Sequence, residues 1–152
     1  MTNNDILRRI RYIFDINDNK MIALFALADH KVSREEISSW LKKEEDEGFV
    51  KLEDLNMAIF LNGLINEKRG KKEGPQHEPE KRLSNNIIFM KLKIALNMQA
   101  EDVLKTLLKA GFEMSKHELS AFFRKPGHKH YRECKDQILR NFLKGLQLEY
   151  RD

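Results

Sequence analysis

The residues best suited to chemistry form one short cationic and aromatic run, RKPGHKHYR, at positions 124–132. Pro126 and Gly127 break the helical pattern there, so the run is predicted to form an exposed loop. Positive groups on a loop can neutralise phosphates, and a tyrosine can stack on an unpaired base. The candidate anion-binding residues of this loop are Arg124, Lys125, His128, Lys129, His130, Tyr131 and Arg132.

A second basic run lies in the segment KRGKKEGPQHEPEKR at positions 68–82. Its two glycines, two prolines and dense charge predict a flexible, solvated linker. Basic blocks of this kind bind nucleic acid non-specifically, and they also occur as solubilising linkers. Both interpretations stay open, and the further candidate residues are Lys68, Arg69, Lys71 and Lys72.

Motifs of known catalytic sites are absent from the sequence. His117 and Glu118 begin an H-E-x-x-H pattern, but Ala121 stands where the second histidine is needed. There is also no nucleophile elbow, no dinucleotide-binding glycine motif and no C-x-x-C pair. We therefore expect a non-enzymatic protein without catalytic residues, cofactor or small-molecule substrate.

The chain is predicted to contain the same unit twice. Residues 4–66 align without a gap on residues 86–148, at an offset of 82 positions. Identical residues gather in two segments, which indicates a duplicated scaffold. They are Ser33/Ser115, Glu36/Glu118 and Ser38/Ser120 in one segment, and Asp54/Asp136, Phe60/Phe142, Leu61/Leu143, Gly63/Gly145 and Leu64/Leu146 in the other.

The duplication pairs the basic loop, residues 124–132, with residues 42–50 of the first copy, which we call the acidic loop. The acidic loop reads KKEEDEGFV, with Glu-Glu-Asp-Glu at 44–47 where the basic loop has Pro-Gly-His-Lys at 126–129. The turn is therefore predicted to be kept while its charge is inverted. Three interpretations stay open: solvated loops that diverged without function, an anionic partner for the basic loop, and pairing of the two loops between molecules.

A metal site in the second copy is a weaker hypothesis. His128, His130 and Cys134, together with His117 if it lies nearby, supply nitrogen and sulfur ligands of types that zinc accepts. Cys134, however, aligns with Leu52 at an apolar position and is expected to behave as a small buried hydrophobe. No metal ligand is therefore assigned.

Two of the identical pairs in the predicted fourth helix, Asp54/Asp136 and Gly63/Gly145, are not apolar core residues. Asp54 and Asp136 fall in its first turn, where a negative charge stabilises the helix dipole by roughly 0.3–1 kcal/mol. A symmetric functional pair is the alternative interpretation. Gly63 and Gly145 lie inside the helix, where glycine costs roughly 1 kcal/mol relative to alanine. Another helix is expected to pass close to their backbone, and approach of a ligand is the alternative.

Apolar residues recur at helical spacing through both copies, and no segment shows sustained strand alternation. The third helix of each copy carries a serine cap and a capping-box glutamate, Ser33 with Glu36 and Ser115 with Glu118. The fourth helix is predicted roughly over 52–67 and 132–149. The expected fold is all-α, with two tandem pseudo-symmetric units of about four helices each. The expected boundaries are residues 1–67, a linker at 68–82 and residues 83–152.

Composition and charge predict the cellular location of the chain and the type of partner it binds. Its 152 residues are 41% hydrophobic and 34% charged, as in ordinary soluble proteins. There is no secretory pattern and no apolar run near the roughly 20 residues that cross a bilayer. The single cysteine fits a reducing compartment, so a cytoplasmic location without membrane contact is predicted. Net charge is −4 over residues 1–67, +3 over 68–82 and +5 over 83–152, which suits an anionic partner for the basic half.

Three stretches, residues 4–44, 60–76 and 114–151, closely resemble the bacterial YehS family. They include the segments NDILRRIRYIF, FLNGLINEKRG and HELSAFFRKPGHKHYREC. The resemblance covers essentially the whole chain. It implies a bacterial cytoplasmic protein built from two copies of one helical domain of unknown function, and it brings no catalytic residues.

The expected function is that of a binding or regulatory protein whose basic C-terminal half meets an anionic partner, with nucleic acid the first choice. The divided charge and the inverted loop are the observations behind this expectation. The alternative is a protein–protein adaptor or a self-associating scaffold.

Overall fold

The computed structural model describes residues 1–151, and within that range the chain consists of helices and loops. It divides into two compact units, Met1–Leu83 and a second unit that begins at Ser84. The first unit contains α1 (Asn3–Ile13), α2 (Asp18–Leu27), α3 (Arg34–Leu41) and α4 (Asp54–Arg69); the second contains α5 (Asn85–Ala95), α6 (Ala100–Lys109), α7 (Lys116–Ala121) and α8 (Asp136–Tyr150). The all-α fold of two four-helix units is confirmed. None of these helices has the length and apolarity needed to cross a membrane.

The ends of the fourth helices differ from the prediction. Helix α4 continues to Arg69 and stops at Gly70, whose φ of +91° is open to glycine and strained for other residues. Lys68 and Arg69 therefore belong to the helix, and their assignment to the linker was wrong. Helix α8 begins only at Asp136, so Arg132 lies in the preceding loop and not in the helix. The flexibility of the remaining linker stays a prediction.

The predicted capping boxes are confirmed in both units. The hydroxyl of Ser33 accepts the backbone N–H of Glu36 at 3.1 Å, and that of Ser115 accepts the N–H of Glu118 at 3.1 Å. Each glutamate returns the contact, since its Oε1 accepts the backbone N–H of its serine. These bonds satisfy N–H groups that the first turn of a helix leaves free, and so they fix where α3 and α7 begin.

Two core positions exchange a leucine and a phenylalanine between the units. At one pair of equivalent positions the first unit has Leu7 and the second Phe89; at another the first has Phe25 and the second Leu107. All of these side chains are fully buried. Phe25 lies 5.6 Å from the ring of Phe60, and Phe89 lies 4.8 Å from the equivalent ring of Phe142. The exchange keeps one aromatic ring against the fourth helix in each unit, as close packing requires.

The second and fourth helices make the most extensive helix pair of each unit, α2 with α4 and α6 with α8. Two glycines allow this approach. A Cβ atom on Gly63 would lie 1.8 Å from the carbonyl oxygen of Leu24, and one on Gly145 would lie 2.0 Å from that of Thr106. Because the neighbour is backbone, it cannot swing aside. The predicted passage of a second helix past these glycines is confirmed.

The aspartates that the two copies share connect the fourth helix of each unit to the first. Asp54 Oδ1 accepts the side-chain amide of Asn3 at 2.7 Å, and Asp136 Oδ1 accepts that of Asn85 at 2.7 Å. The same amides donate to the carbonyls just before the helices, those of Leu52 and Cys134. These bonds, together with the helix dipole, give both aspartates a structural role.

Candidate anion-binding cleft

The basic loop is fixed at both ends by one buried side chain, Asn86, which is 5% exposed. Its amide nitrogen donates to the carbonyl of Phe122 at 3.0 Å, before the loop, and to that of Arg132 at 2.8 Å, at its end. Its amide oxygen accepts the N–H of Cys134 at 2.9 Å. A buried amide that makes three hydrogen bonds holds both ends of the loop in place. We call this arrangement the asparagine clamp.

The first unit contains the same clamp around the acidic loop. Asn4, which is 1% exposed, donates to the carbonyls of Trp40 at 2.9 Å and Val50 at 3.0 Å. Its oxygen accepts the N–H of Leu52 at 3.0 Å. The clamp uses backbone groups of the loop ends and is therefore indifferent to the side chains that the loop displays.

The turns inside the two loops share their backbone hydrogen bonds. His128 N–H donates to the carbonyl of Lys125 at 2.9 Å, as Asp46 N–H does to that of Lys43 at 2.9 Å. The next bonds, from residues 131 and 49, and those from residues 132 and 50, are equivalent as well. The backbone differs at Gly48, whose φ is +84°. Its counterpart, His130, has no positive φ. The turn is thus kept while its charge is inverted.

A cleft of about 270 Å³ lies between the basic loop and α7. Five of its lining side chains are cationic or can become so, and Tyr131 contributes an aromatic wall. We call this site the basic cleft, and its functional side chains are His117, Arg124, Lys129, His130, Tyr131 and Arg132. Glu118, Ser120 and Ala121 complete the lining.

The cations of the loop are exposed to solvent. Arg124, Lys125, Lys129 and Arg132 are exposed, and none forms a salt bridge with any residue in the described range 1–151. In the acidic loop, by contrast, Lys42, the counterpart of Arg124, folds back so that its Nζ donates to the carbonyl of Glu47 at 3.0 Å. The basic loop therefore presents its charge outwards, over a concave surface.

Glu118 is the one acidic side chain in the cleft lining. The backbone N–H of Ser115, which donates to Oε1 at 3.1 Å, and then the Ser115 hydroxyl hold the pKa of Glu118 below its usual range. The nearby Arg132 and His117 act in the same direction. Glu118 is therefore ionised at neutral pH, but its carboxylate is committed to the helix cap. Cationic groups still outnumber it in the lining.

The two loop histidines contact each other. His130 N–H donates to Nδ1 of His128 at 3.0 Å, and the two rings lie 5.5 Å apart. Cys134 is buried, as expected for the counterpart of Leu52, and burial raises the pKa of its thiol to about 12. No group of three His, Cys, Asp or Glu side chains among the described residues is placed to hold a metal ion.

The second basic run lies in the first unit, where two of its lysines contact other residues. Lys68 Nζ lies 5.0 Å from the centre of the Phe14 ring, and Lys71 pairs with Asp29 at 2.6 Å. The structure thus assigns the run Lys68, Arg69, Lys71 and Lys72 to the first unit and the basic loop to the second. The candidate site consists of the basic cleft alone.

Two parts of this site were not predicted. The sequence indicated His117 only as a candidate metal ligand near His128 and His130. His117 reaches the cleft from α7, and its separation of 13 residues from His130 gives no periodic signal. Asn86 was also missed, although Asn4 and Asn86 are identical residues in the aligned copies. A polar residue kept inside an apolar helical stripe was the signal that indicated a buried amide.

Fold and site together define an all-helical tandem-repeat protein in which one repeat carries a basic cleft and the other an acidic loop. The chain belongs to the family described as "Protein of unknown function (DUF1456)", whose model matches twice, at residues 3–70 and 85–152. It is similar to "Uncharacterized protein YehS" of Escherichia coli (strain K12), with 47% identity over 147 residues that cover 96% of this chain and 94% of that protein. No solved structure matches. The resemblance to this bacterial family and the duplication are confirmed.

Proposed function

We propose that the chain is a non-enzymatic nucleic-acid-binding protein that contacts phosphates through the basic cleft. The observation that carries the proposal is a set of four loop cations that form no salt bridge within residues 1–151. Arg124, Lys129 and Arg132 line the cleft, whereas Lys125 and His128 lie on the same loop outside the lining. The same turn carries acidic residues in the first unit, so the scaffold does not require these charges. Phosphate is the anion that a polymer presents at regular spacing to such a cluster.

The proposal sets the size of the salt effect. If the four cations each neutralise one phosphate of a single strand, the slope of log K against log salt is about −2.8. Affinity then falls about 50-fold between 50 and 200 mM salt. Binding without this dependence would contradict contact through phosphates.

A matched pair of double variants tests whether the basic loop carries the interaction. Arg124→Glu/Lys125→Glu and Lys42→Glu/Lys43→Glu change equivalent positions of the two loops and alter net charge equally. Fluorescence anisotropy with a labelled 12-nucleotide strand should show weaker binding and a smaller salt slope for the first variant, and near wild-type binding for the second. Equal effects of the two variants would mean that overall charge, and not the basic loop, determines binding.

The proposed role is binding without catalysis, by a cytoplasmic protein that does not act at a membrane surface. A labelled RNA or DNA strand should therefore be recovered at full length after prolonged incubation with the protein. Cleavage of the strand by a preparation free of contaminating nuclease would contradict the non-enzymatic role. Fractionation of the bacterial cell checks the location.

Self-association is the second candidate function, and the opposite charge of two similarly folded loops favours it. The acidic loop, with Glu44, Glu45 and Glu47 exposed, is complementary to the basic loop of another molecule. Sedimentation velocity at 20 and 300 mM salt separates the candidates. A dimer that dissociates with salt supports loop pairing, whereas a monomer at 20 mM salt excludes it.

A further inference from the structure

The size of the basic cleft limits what can enter it. Its volume of about 270 Å³ lies just below the roughly 300–1,000 Å³ of typical small-molecule pockets. Such a cleft accommodates one nucleotide and not the width of a double helix. A duplex keeps its bases stacked inside and touches a protein surface first through its phosphates. It would reach the exposed cations of the loop, but its paired bases would not stack on the half-buried Tyr131.

The lining of the basic cleft contains a tyrosine ring among cationic side chains. Tyr131 is half-buried in the lining, next in sequence to His130 and Arg132, with Lys129 one residue further away. Its counterpart in the acidic loop is Phe49, which is half-buried too. Both loops thus hold a half-buried ring at the same position, and only in the basic loop is that ring flanked in sequence by groups that attract phosphate. An aromatic face beside a basic surface is the arrangement that binds an unpaired base and its backbone.

We infer that the basic cleft takes one unpaired nucleotide, with its phosphate among the loop cations and its base against Tyr131. This inference rests on the proposed function and narrows its ligand from nucleic acid to single-stranded nucleic acid. Because every base has an aromatic face, the cleft selects unpaired strands and is tolerant of their sequence.

Three probes of equal phosphate count test the inference by anisotropy at a fixed salt concentration. They are a 12-nucleotide strand with a 5′-phosphate, a hairpin of six base pairs closed by a non-nucleotide linker, and a 5′-phosphorylated strand of 12 abasic positions. The intact strand should bind most tightly, because only it offers both phosphates and free bases. Loss of base stacking is expected to weaken binding by roughly 5- to 150-fold.

Substitutions at Tyr131 separate stacking from loop anchoring. Tyr131→Leu keeps apolar bulk but removes the aromatic face, whereas Tyr131→Phe keeps the ring. The leucine variant should bind the intact strand more weakly than the phenylalanine variant, and the two should bind the abasic strand equally. Phe49→Leu, the matched control in the first unit, should bind all probes as the wild type does. The midpoint of urea unfolding reports any loss of folding in each variant.

The outcomes distinguish the inference from the proposed function. If Arg124→Glu/Lys125→Glu leaves binding of every probe unchanged, the proposed function fails and the inference fails with it. If that variant weakens binding but the hairpin, the intact strand and the abasic strand bind equally, only the inference is overturned. The same holds if Tyr131→Leu and Tyr131→Phe bind the intact strand equally.

Discussion

Truncation of the asparagine clamp tests both the stability of the fold and the position of the basic loop. Asn86→Ala removes three hydrogen bonds and leaves the carbonyls of Phe122 and Arg132 and the N–H of Cys134 without their partner. A buried hydrogen bond contributes a net 0.5–1.5 kcal/mol, so the variant should lose roughly 2–4 kcal/mol of stability. Asn4→Ala removes the equivalent three bonds and should cost the same.

Urea unfolding measures both losses if each unit has its own probe. Trp40 is the only tryptophan of the chain and lies beside Asn4, so its fluorescence reports on the first unit. Phe122→Trp places an equivalent reporter in the second unit and serves as the parent for Asn86→Ala. The midpoint should fall with little change in the slope of the transition, as expected for a change in stability alone. Asn86→Asp keeps the shape but sets an oxygen against two carbonyls, so it should also destabilise.

Binding then separates the two clamps. Below the unfolding transition, Asn86→Ala should weaken binding of a single strand because the basic loop has lost its fixed ends. Asn4→Ala, equally destabilised, should bind as the wild type does because it alters the acidic loop. A loss of stability under about 0.5 kcal/mol in either variant would refute the hydrogen-bond account. Equal weakening of binding by both variants would refute the link between clamp and cleft.

Three further predictions follow from the packing and the caps. Gly145→Ala should lose about 3 kcal/mol or more in urea unfolding, because its Cβ would lie 2.0 Å from the Thr106 carbonyl; a gain of about 1 kcal/mol from helix propensity would show that α6 can shift. Cys134 should resist a thiol reagent at pH 8 in the native protein and react in urea. Since its pKa rises from 9.0 to about 12 on folding, its stabilising contribution is complete below about 9 and is lost as pH rises towards about 12. Cys134→Leu, which copies Leu52 of the first unit, should lack that part of the pH dependence of stability. If the variant and the wild type lose stability equally between pH 9 and 12, the buried thiol is not the cause. Ser115→Ala should cost about 1 kcal/mol by thermal unfolding, and an unchanged Tm would mean that the capping box contributes nothing.

Much of the fold was predictable because its signals are local or repeated. Helical periodicity, the Ser33 and Ser115 caps and the glycines at 63 and 145 all reflect constraints that act within a few residues or recur in both copies. The charge inversion of the loops was visible for the same reason. The end of α4 was not, because the charged run at Lys68 looks like linker until the Lys68–Phe14 contact is known.

The asparagine clamp and the cleft depend on contacts that are distant in sequence. Asn86 meets the backbone of residues 36 to 48 positions away, and no local pattern specifies those partners. His117 enters the cleft because α7 packs on α6 within the second unit, which sets its distance from the basic loop. The duplication did contain a signal for the clamp, since both copies have an asparagine within the apolar face of their first helix.

The position at which a single strand binds tests the role of the basic cleft most directly. An amide-resolved NMR titration of the ¹⁵N-labelled protein with a 12-nucleotide strand, at 50 and 200 mM salt, measures this position. We expect chemical-shift changes only at residues 117–121 and 124–132, smaller at the higher salt, and none in the acidic loop at 42–50. Shifts that centre on the acidic loop or on the Lys68–Lys72 run, or no shifts at 50 mM salt, would contradict this role of the basic cleft.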